Sequence, residues 1–350
     1  MEKSEKVIII GGGLSGLALA YLLKQKHKEV TLLEGSTRLG GRIQTEKGAL
    51  DTLLELGATW FSDVHIHLLS LIEELGLQRY PQFSKGISLF QTKSFEPPQK
   101  FFIPEAETPS YRLSGGTQAL INTLALRLEA QNFRLNTKVT AIRDSGDTIT
   151  VETATGEVIK GSKVVLCMPP QLVASQIEFS PELPKPAQEI LPTVQTWMAG
   201  AVKFALEYPE PFWRNEGYSG MLYSHAGIVA EMYDHTNFEE NRYGVTGFLN
   251  SSAASYPQEV RKELVLRQLG ELLGDKALKP TAYLDKVWID EFVLAGNQII
   301  HRPHQNNGHP LLQVDYMNGK LLFCGTETAS AFAGYMEGAL VAAKSVSQRL

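Results

Sequence analysis

The amino-terminal residues combine two apolar runs with a glycine-rich turn and a helical pattern between them. Residues 6–10 form the first run, 11–16 hold the glycines, 17–26 place apolar residues at helical spacing, and 29–34 form the second run. Two short runs rich in β-branched residues that flank a helix predict a βαβ unit with parallel strands.

The remaining chain alternates between helical and strand patterns, with prolines interrupting it over residues 80–109 and 181–192. Three stretches alternate polar and apolar residues and predict half-buried strands of an antiparallel sheet: 193–207, 220–229 and 243–251. Further strands are predicted over 133–143, 148–153, 157–160, 163–167, 282–288 and 320–324, and helices over 65–75, 117–130, 257–273 and 335–350.

This order of elements predicts an α/β chain of two domains. At roughly 150 residues per domain, 350 residues are enough for two. We assign residues 1–78, 114–192 and 297–350 to a discontinuous dinucleotide-binding domain of the Rossmann type. Residues 79–113 and 193–296 form an inserted α+β substrate-binding domain on a mixed or antiparallel sheet. Such an insertion suits a cofactor held between the two domains.

Composition and charge exclude several classes of protein. Lysine and arginine number 33, aspartate and glutamate 38, and the formal net charge is −5, so binding to nucleic-acid phosphates is not expected. Cys167 and Cys324 lie in separate apolar runs, which excludes a disulfide scaffold and a cysteine zinc site. We find neither a secretory signal nor an apolar stretch of membrane-spanning length, and we expect a cytoplasmic protein without a membrane anchor.

The glycine turn carries the first chemical motif. Gly11, Gly13 and Gly16 form G-x-G-x-x-G between a strand and a helix, and Glu34 ends the next strand. In this context the glycines allow a tight turn, a close approach to a pyrophosphate and close helix packing, and the acidic residue accepts hydrogen bonds from a ribose. The motif predicts a dinucleotide site, and either NAD or FAD satisfies it.

A second glycine loop favours FAD. Arg38-Leu39-Gly40-Gly41-Arg42 follows Glu34, and its arginines can serve a longer dinucleotide. The loop resembles that of the flavin-containing monoamine oxidase family, in which R-x-G-G-R follows an acidic strand end. Gly57-Ala58-Thr59-Trp60 is similar to the step that this family places beside the flavin.

The carboxyl-terminal segment resembles the same family most closely, in its G-T-E-T-A and G-Y-M-E-G-A motifs at residues 325–329 and 334–339. The resemblance implies that Glu327 binds the ribityl chain and that the Met336 N–H stabilises negative charge at the flavin pyrimidine. Tyr335 would form one wall of the substrate cage. A helix amino terminus suits the charge on a reduced flavin.

The resemblance implies the FAD-binding fold of the GR2 flavoprotein type and a full set of cofactor contacts. These predicted cofactor-binding residues are Gly11, Gly13, Leu14, Ser15, Gly16, Glu34, Gly35, Arg38, Gly40, Gly41, Arg42, Gly57, Ala58, Thr59, Trp60, Val139, Gly325, Thr326, Glu327, Tyr335 and Met336.

One charged residue stands within an apolar strand. Lys203 lies in Ala201-Val202-Lys203-Phe204-Ala205-Leu206, where a charge is unfavourable unless it is partnered or functional. The following Pro211-Phe212-Trp213 is similar to the family's P-F-W, which matches Lys203 to the lysine that holds a water near flavin N5. We therefore predict Lys203 and Tyr335 as the catalytic residues.

The chain departs from the family at two positions. An ungapped match places Asn297 at the flavin-linking cysteine and Gln298 at the second cage tyrosine, so noncovalent FAD and half of the usual cage are expected. The predicted substrate pocket comprises Trp60, Trp288, Gln298, Phe332 and Tyr335. His301, His304 and His309 lack a metal-binding spacing, and no metal is predicted.

These observations predict an FAD-dependent amine oxidase that transfers a hydride from the amine α-carbon to flavin N5 and makes hydrogen peroxide from dioxygen. Alternatives are a desaturase or protoporphyrinogen-oxidase-like enzyme and a flavin-binding module without turnover. The predicted partners are a small amine and dioxygen, and we consider a homodimer as one oligomeric state. Primary, secondary and amino-acid substrates stay open, with a substrate carboxylate assigned to Arg79, Arg112, Arg214, Arg242 or none of them.

Overall fold

The computed structural model describes residues 5–129, 132–289 and 304–350. It contains a five-stranded parallel sheet in the order β20-β13-β1-β2-β9. The βαβ prediction is confirmed, because β1 and β2 pair in parallel and α1 connects them. The strands of this sheet are β1 (Lys6–Ile10), β2 (Glu29–Leu33), β9 (Phe133–Arg134), β13 (Lys163–Leu166) and β20 (Leu321–Phe323).

Helices cover one face of the parallel sheet and a second sheet covers the other. The helices are α1 (Leu14–Gln25), α2 (Ile66–Glu74), α3 (Gln118–Arg127) and α8 (Met336–Arg349). The opposite layer is a four-stranded sheet of β10 (Val139–Asp144), β11 (Ile149–Thr153), β12 (Val158–Gly161) and β14 (Glu178–Ser180). Apolar side chains pack between these layers on both faces, which explains why β1 and β13 are almost entirely apolar.

A seven-stranded mixed sheet has the order β19-β15-β18-β17-β16-β6-β7. All neighbours are antiparallel except the parallel pair of β16 and β6. The α7 helix (Gln258–Leu273) packs against it through Val265 and Leu269. Its strands are β6 (Gly86–Gln91), β7 (Gln99–Ile103), β15 (Val202–Tyr208), β16 (Tyr218–Ser224), β17 (Val229–Asp234), β18 (Tyr243–Leu249) and β19 (Ala282–Val287).

Short elements complete the described chain. Two small ladders join β3 (Thr45–Lys47) to β4 (Leu53–Glu55) and β5 (Arg79–Pro81) to β8 (Tyr111–Leu113). Three short helices follow the parallel sheet and β15: α4 (Pro170–Gln176), α5 (Lys185–Ile190) and α6 (Phe212–Asn215). None of the helices within these described ranges is long and apolar enough to cross a membrane.

Two strand predictions were wrong in extent. The predicted strand over 193–207 begins only at Val202, because Met198 and Gly200 have positive φ angles of 62° and 82° and turn the chain. The strand is also buried at every position rather than on one face. The predicted strand over 133–143 divides into β9 and β10, with Asn136 at φ 53° between them.

The α/β fold with a second, mixed sheet is confirmed. The boundaries of the two domains stay a prediction, as do the homodimer and the cytoplasmic location.

Candidate functional site

A cavity of about 530 Å³ extends from the carboxyl end of β1 to the seven-stranded sheet. It contacts most of the residues predicted from sequence, which lie far apart along the chain. The predicted cofactor residues that line it are Gly11, Gly13, Leu14, Ser15, Glu34, Gly35, Gly40, Gly41, Arg42, Gly57, Ala58, Thr59, Trp60, Val139, Gly325, Thr326, Tyr335 and Met336.

Of the three motif glycines between β1 and α1, only Gly13 has space for a Cβ atom, whereas Gly11 and Gly16 have none. A Cβ on Gly16 would lie 2.0 Å from the carbonyl oxygen of Gly11, and one on Gly11 would lie 2.5 Å from that of Cys167. A Cβ on Gly13 would meet no protein atom nearer than 3.9 Å. Gly11 and Gly16 therefore serve close packing, whereas Gly13 faces open space in the cavity where a pyrophosphate can approach the backbone.

Glu34 lies at the carboxyl end of β2 and is buried. Its Oε2 accepts a hydrogen bond from Gly12 N at 2.6 Å, and its Oε1 accepts one from Ser36 N at 2.9 Å. These backbone donors hold the carboxylate in place at the cavity wall, where its remaining lone pairs can accept from a ribose.

The two arginines of the second glycine loop have different positions. Arg42 lines the cavity, but Arg38 does not. The Arg38 guanidinium donates to the carbonyl oxygens of Gly41 at 2.6 Å and Ile43 at 2.9 Å, so it holds its own loop together. The sequence motif predicted that Arg38 contacts the cofactor. This geometry favours a structural role for Arg38 within its loop instead.

Glu327 is fully buried, with 0% of its surface exposed. Arg42 Nη1 lies 2.7 Å from its Oε1, and within the described residues neither carboxylate oxygen accepts a well-oriented hydrogen bond. A buried carboxylate in this condition is unfavourable without hydroxyl or N–H donors. Glu327 does not itself line the cavity, but it is paired with Arg42, which does. The ribityl hydroxyls of FAD are donors of the kind that this carboxylate lacks, and the pair, together with the space above Gly13, fits FAD.

We expect Glu327→Gln to weaken FAD binding about 10- to 100-fold, because hydrogen bonds to a charged group contribute about 1.5–3 kcal/mol. Titration of apoprotein with FAD, followed by flavin fluorescence, measures the dissociation constant. Glu337→Gln is the matched control: Glu337 is also buried, but both of its carboxylate oxygens accept hydrogen bonds, from His67 N and Leu68 N, whereas Glu327 is paired with the cavity residue Arg42. Equal losses of FAD affinity in both variants would contradict the assignment.

The α8 helix begins at Met336, and Tyr335, Met336 and Ala339 at its amino-terminal end line the same cavity. Thr326 Oγ1 holds the preceding turn, since it donates to Tyr335 O at 2.8 Å and accepts from Gly334 N at 3.0 Å. The positive end of the helix dipole therefore points toward the site predicted for the flavin pyrimidine.

Lys203 lies on β15 with 1% of its surface exposed, and its side chain reaches the cavity wall. Its Nζ donates to Gly57 O at 2.7 Å and to Thr59 Oγ1, and it lies 4.7 Å from the ring centre of Trp60. Burial lowers the pKa of Lys203 to about 7. A buried amine that exchanges its proton near neutral pH is typical of a functional group rather than a structural one.

Aromatic side chains surround the space in front of Lys203. Trp60 packs edge-on against Tyr233 with ring centres 5.1 Å apart, and Phe248 lies near both Trp60 and Lys203. Trp288 also lines the cavity. Tyr335 lines it as well and lies parallel to Trp197 at 6.0 Å. This part of the cavity offers an apolar, π-rich environment that suits an amine with an apolar body.

Two residues of the predicted substrate pocket are not found in the cavity wall: Phe332 lies elsewhere, and Gln298 is outside the described residues. Phe332 does not line the cavity, since it is 39% exposed and packs edge-on against His65. Gln298 and Asn297 lie outside the described residues, as does His301. No group of three or more histidine, cysteine or acidic residues within the described ranges could hold a metal ion.

Sequence reasoning missed several residues of the cavity wall. Glu231, Tyr233 and Phe248 come from β17 and β18, and Trp197 and His65 come from loops. The period-2 pattern of β17 could have indicated that Glu231 and Tyr233 share a face. Nothing in the local sequence indicates that this face meets Lys203.

Comparison with known proteins gives the same assignment. The family model described as flavin containing amine oxidoreductase matches residues 14–94 and 88–350. The chain is 26% identical to a probable flavin-containing monoamine oxidase A of Dictyostelium discoideum over a gapped alignment of 450 positions, which covers 98% of this chain and 97% of that protein.

Two solved structures share the fold. Putrescine oxidase, in its wild-type form bound to putrescine, superposes with a TM-score of 0.83 at 21% identity and covers 98% of both chains. Cyclohexylamine oxidase from Brevibacterium oxydans IH-35A gives 0.83 at 19% identity and covers 99% of this chain and 98% of its own. The chain belongs to the flavin-containing amine oxidoreductase family: it is a flavoprotein oxidoreductase that acts on amines and uses FAD.

Proposed function

We propose that this protein is an amine oxidase in which the α-carbon of a small amine loses a hydride and the product is an imine. Bound FAD supplies the redox chemistry, accepting the hydride at N5 and passing the electrons to dioxygen to give hydrogen peroxide. The observation that carries the proposal is the buried Lys203, which shares one cavity with Glu34, Arg42 and the glycine turn.

The residues of the chain have separate roles in this proposal. The glycine turn, Glu34 and Glu327 bind and orient the cofactor. The aromatic rings of Trp60, Phe248 and Tyr335 exclude water and favour the neutral form of the amine, because desolvation opposes its charged form. Lys203 organises water or dioxygen beside the reacting atoms, and its cationic form stabilises negative charge that develops on oxygen.

The charge of the cavity wall favours amines over amino acids. None of the four arginines considered for a substrate carboxylate lines the cavity. Arg79 pairs with Asp63, Arg214 with Asp234, and Arg112 donates to Thr236 O. Arg242 donates to Asn241 O. Arg42 and Lys203 line the cavity, but Arg42 is paired with Glu327 and burial lowers the pKa of Lys203 to about 7. The Glu231 carboxylate, which also lines the cavity, would repel a substrate carboxylate.

The first experiment is an anaerobic titration of the purified flavoprotein with a panel of primary, secondary and amino-acid amines. We expect bleaching of the flavin absorbance by at least one primary or secondary amine, and hydrogen peroxide when air is readmitted. Flavin that stays oxidised with every amine would reject amine oxidation and favour desaturation of a ring or polyene, or a module without turnover.

We propose that FAD is held without a covalent bond. Acid precipitation should then release all of the flavin into the supernatant, where its absorbance is measured. Flavin that remains with the precipitated protein would contradict this part of the proposal.

Reoxidation by dioxygen is expected to slow as the pH rises through about 7. Burial lowers the pKa of Lys203 to about 7. The Glu55 and Glu231 carboxylates oppose this shift, and the Arg112 guanidinium adds to it. The amine is therefore cationic below pH 7 and neutral above it. Between pH 6 and pH 8 the cationic fraction falls about tenfold, and the rate constant should follow.

Stopped-flow mixing of reduced protein with dioxygen across this pH range measures the effect. The Lys203→Met variant is the control and should give a flat profile. A rate constant of the parent protein that does not change between pH 6 and pH 8 would show that the Lys203 cation has no part in the step.

A further inference from the structure

A row of side chains crosses the mixed sheet on the face that meets the cavity. Lys203 of β15 is paired in register with Phe248 of β18, Phe248 with Glu231 of β17, and Glu231 with Tyr223 of β16. Directly opposed residues in neighbouring strands project from the same face, and so does Tyr233, two positions after Glu231. The sheet thus places a lysine, a carboxylate and two phenols side by side.

The carboxylate and the phenols form a continuous hydrogen-bonded chain. Tyr233 Oη donates to Glu231 Oε2 at 2.5 Å, and Tyr233 Oη and Tyr223 Oη are 2.9 Å apart. Glu231 and Tyr233 line the cavity, whereas Tyr223 does not line it and is 42% exposed. The chain therefore begins at the cavity and ends at a phenol in contact with solvent.

An amine oxidase needs such a connection because its substrate arrives mainly as an ammonium ion at neutral pH, while hydride loss requires the neutral amine. Its extra proton must leave an aromatic cavity in which a free cation is unfavourable. Glu231 lines the cavity, where its carboxylate attracts that cation, and it also interacts electrostatically with Lys203.

We propose that Glu231 accepts a proton from the ammonium form of the substrate and that Tyr233 and Tyr223 pass it to solvent. This inference rests on the proposed amine oxidation. In the step, one N–H bond of the ammonium breaks and an O–H bond forms on the Glu231 carboxylate, which leaves a neutral amine and a neutral carboxyl group. No electrons are transferred.

The return step also balances. The Glu231 carboxyl donates its proton to Tyr233 Oη, the Tyr233 proton moves to Tyr223 Oη, and the Tyr223 proton moves to bulk water or buffer. Glu231 is then a carboxylate again and both phenols are neutral. Burial and the bond to Glu231 raise the pKa of Tyr233, so this phenol relays a proton without becoming a lasting anion.

The titratable groups that act on this chain come from three strands. Lys203 faces Glu231 from β15, Tyr223 contacts it through Tyr233 from β16, and Tyr233 lies on its own strand. Since Lys203 changes charge near pH 7, a variant must be compared with the parent protein at the same pH.

The test is the rate constant for anaerobic flavin reduction by an amine, measured by stopped flow from pH 6.5 to pH 10.5 in Tyr233→Phe and the parent protein. At pH 7 we expect the variant to be slower by at least about tenfold, in the range of proton-transfer contributions. The deficit should close as the pH approaches the pKa of the amine, since the substrate then enters neutral. The equilibrium dissociation constant of the amine should not change, because a proton route alters rates and not equilibria.

Two further variants separate the outcomes. Tyr223→Phe changes an exposed phenol with little risk to folding and should give the same pH-dependent deficit. Tyr218→Phe is the matched control on the same strand: Tyr218 Oη accepts from Lys100 and is outside the chain, so its profile should match the parent.

A deficit that is the same at every pH, or no deficit at all, would overturn the relay. A loss of amine affinity in Tyr233→Phe as large as the loss of rate would also overturn it and make Tyr233 a positioning residue for Glu231. Failure of the proposed function has a different signature, since the parent flavin would then not be reduced by any amine at any pH.

Discussion

Gly13→Ala is expected to give a folded protein that has lost most of its affinity for FAD. The added Cβ would lie 3.9 Å from the nearest protein atoms, Gly40 O and Gly41 Cα, so it clashes with nothing in the protein itself. The φ of Gly13 is −76°, which alanine adopts without strain. The methyl group instead would occupy cavity space in which the predicted pyrophosphate would approach the backbone. Forcing an extra carbon into such a contact costs roughly 1–3 kcal/mol, which corresponds to a loss of about 10- to 100-fold in affinity.

Gly16→Ala provides the contrast within the same motif. Its Cβ would lie 2.0 Å from Gly11 O, a backbone atom that cannot move without displacing the junction of β1 and α1. We expect destabilisation of more than about 3 kcal/mol and little folded protein.

Thermal unfolding of the two apoproteins, compared with that of the parent apoprotein, separates the effects on folding from those on binding. Titration with FAD then gives the affinity of each variant that folds. Gly13→Ala apoprotein that unfolds as readily as Gly16→Ala would contradict the assignment, and so would Gly13→Ala that binds FAD as well as the parent.

Lys203→Met is expected to slow the reaction of the reduced flavin with dioxygen on the order of 100-fold, as removal of a preorganised charge or donor does in other active sites. Reduction of the flavin by the amine should change much less, by less than about tenfold, because the lysine acts on oxygen and not on the α-carbon. The two half-reactions are measured separately by stopped flow, with chemically reduced protein for the oxidative one.

This variant should fold. Thr59 Oγ1 still donates to Gly57 O at 3.0 Å, so the carbonyl that loses Lys203 keeps one donor. Replacing a desolvated cation by an apolar side chain of similar length removes an unfavourable burial, and the melting temperature should stay the same or rise. Lys286→Met is the matched control, because Lys286 is opposite Lys203 in the adjacent strand β19. Equal slowing of reoxidation in both variants would assign the effect to the charge of the sheet and not to Lys203.

Most of the cavity wall could be predicted because its residues occur in short, local motifs, and their contacts with the cofactor stay a prediction. Gly11, Gly13, Gly16 and Glu34 lie within one βαβ unit, whose order in sequence dictates its order in space. Glu327 and Met336 lie in one segment that ends in a helix. In these cases residues that are close in sequence are also close in the fold, so a short motif is enough to predict their arrangement.

Other features depended on contacts that no local pattern encodes. Arg38 carries the same charge as Arg42, but it donates to carbonyl oxygens of its own loop, and only the folded loop shows which arginine faces the cavity. Phe332 is near Tyr335 in sequence, but it does not line the cavity and instead packs edge-on against His65, which does.

The sequence by itself determined the dinucleotide-binding unit and the family, and it predicted that Lys203, a lysine inside an apolar strand, is functional. Only the tertiary structure brought Lys203 beside Thr59 and Trp60, and only the register of β16 against β17 set Glu231, Tyr233 and Tyr223 in one hydrogen-bonded chain. The reason is physical: helix starts and glycine turns follow from local sterics and hydrogen bonding. The pairing of distant strands follows from burial of the whole sheet, which no single segment specifies.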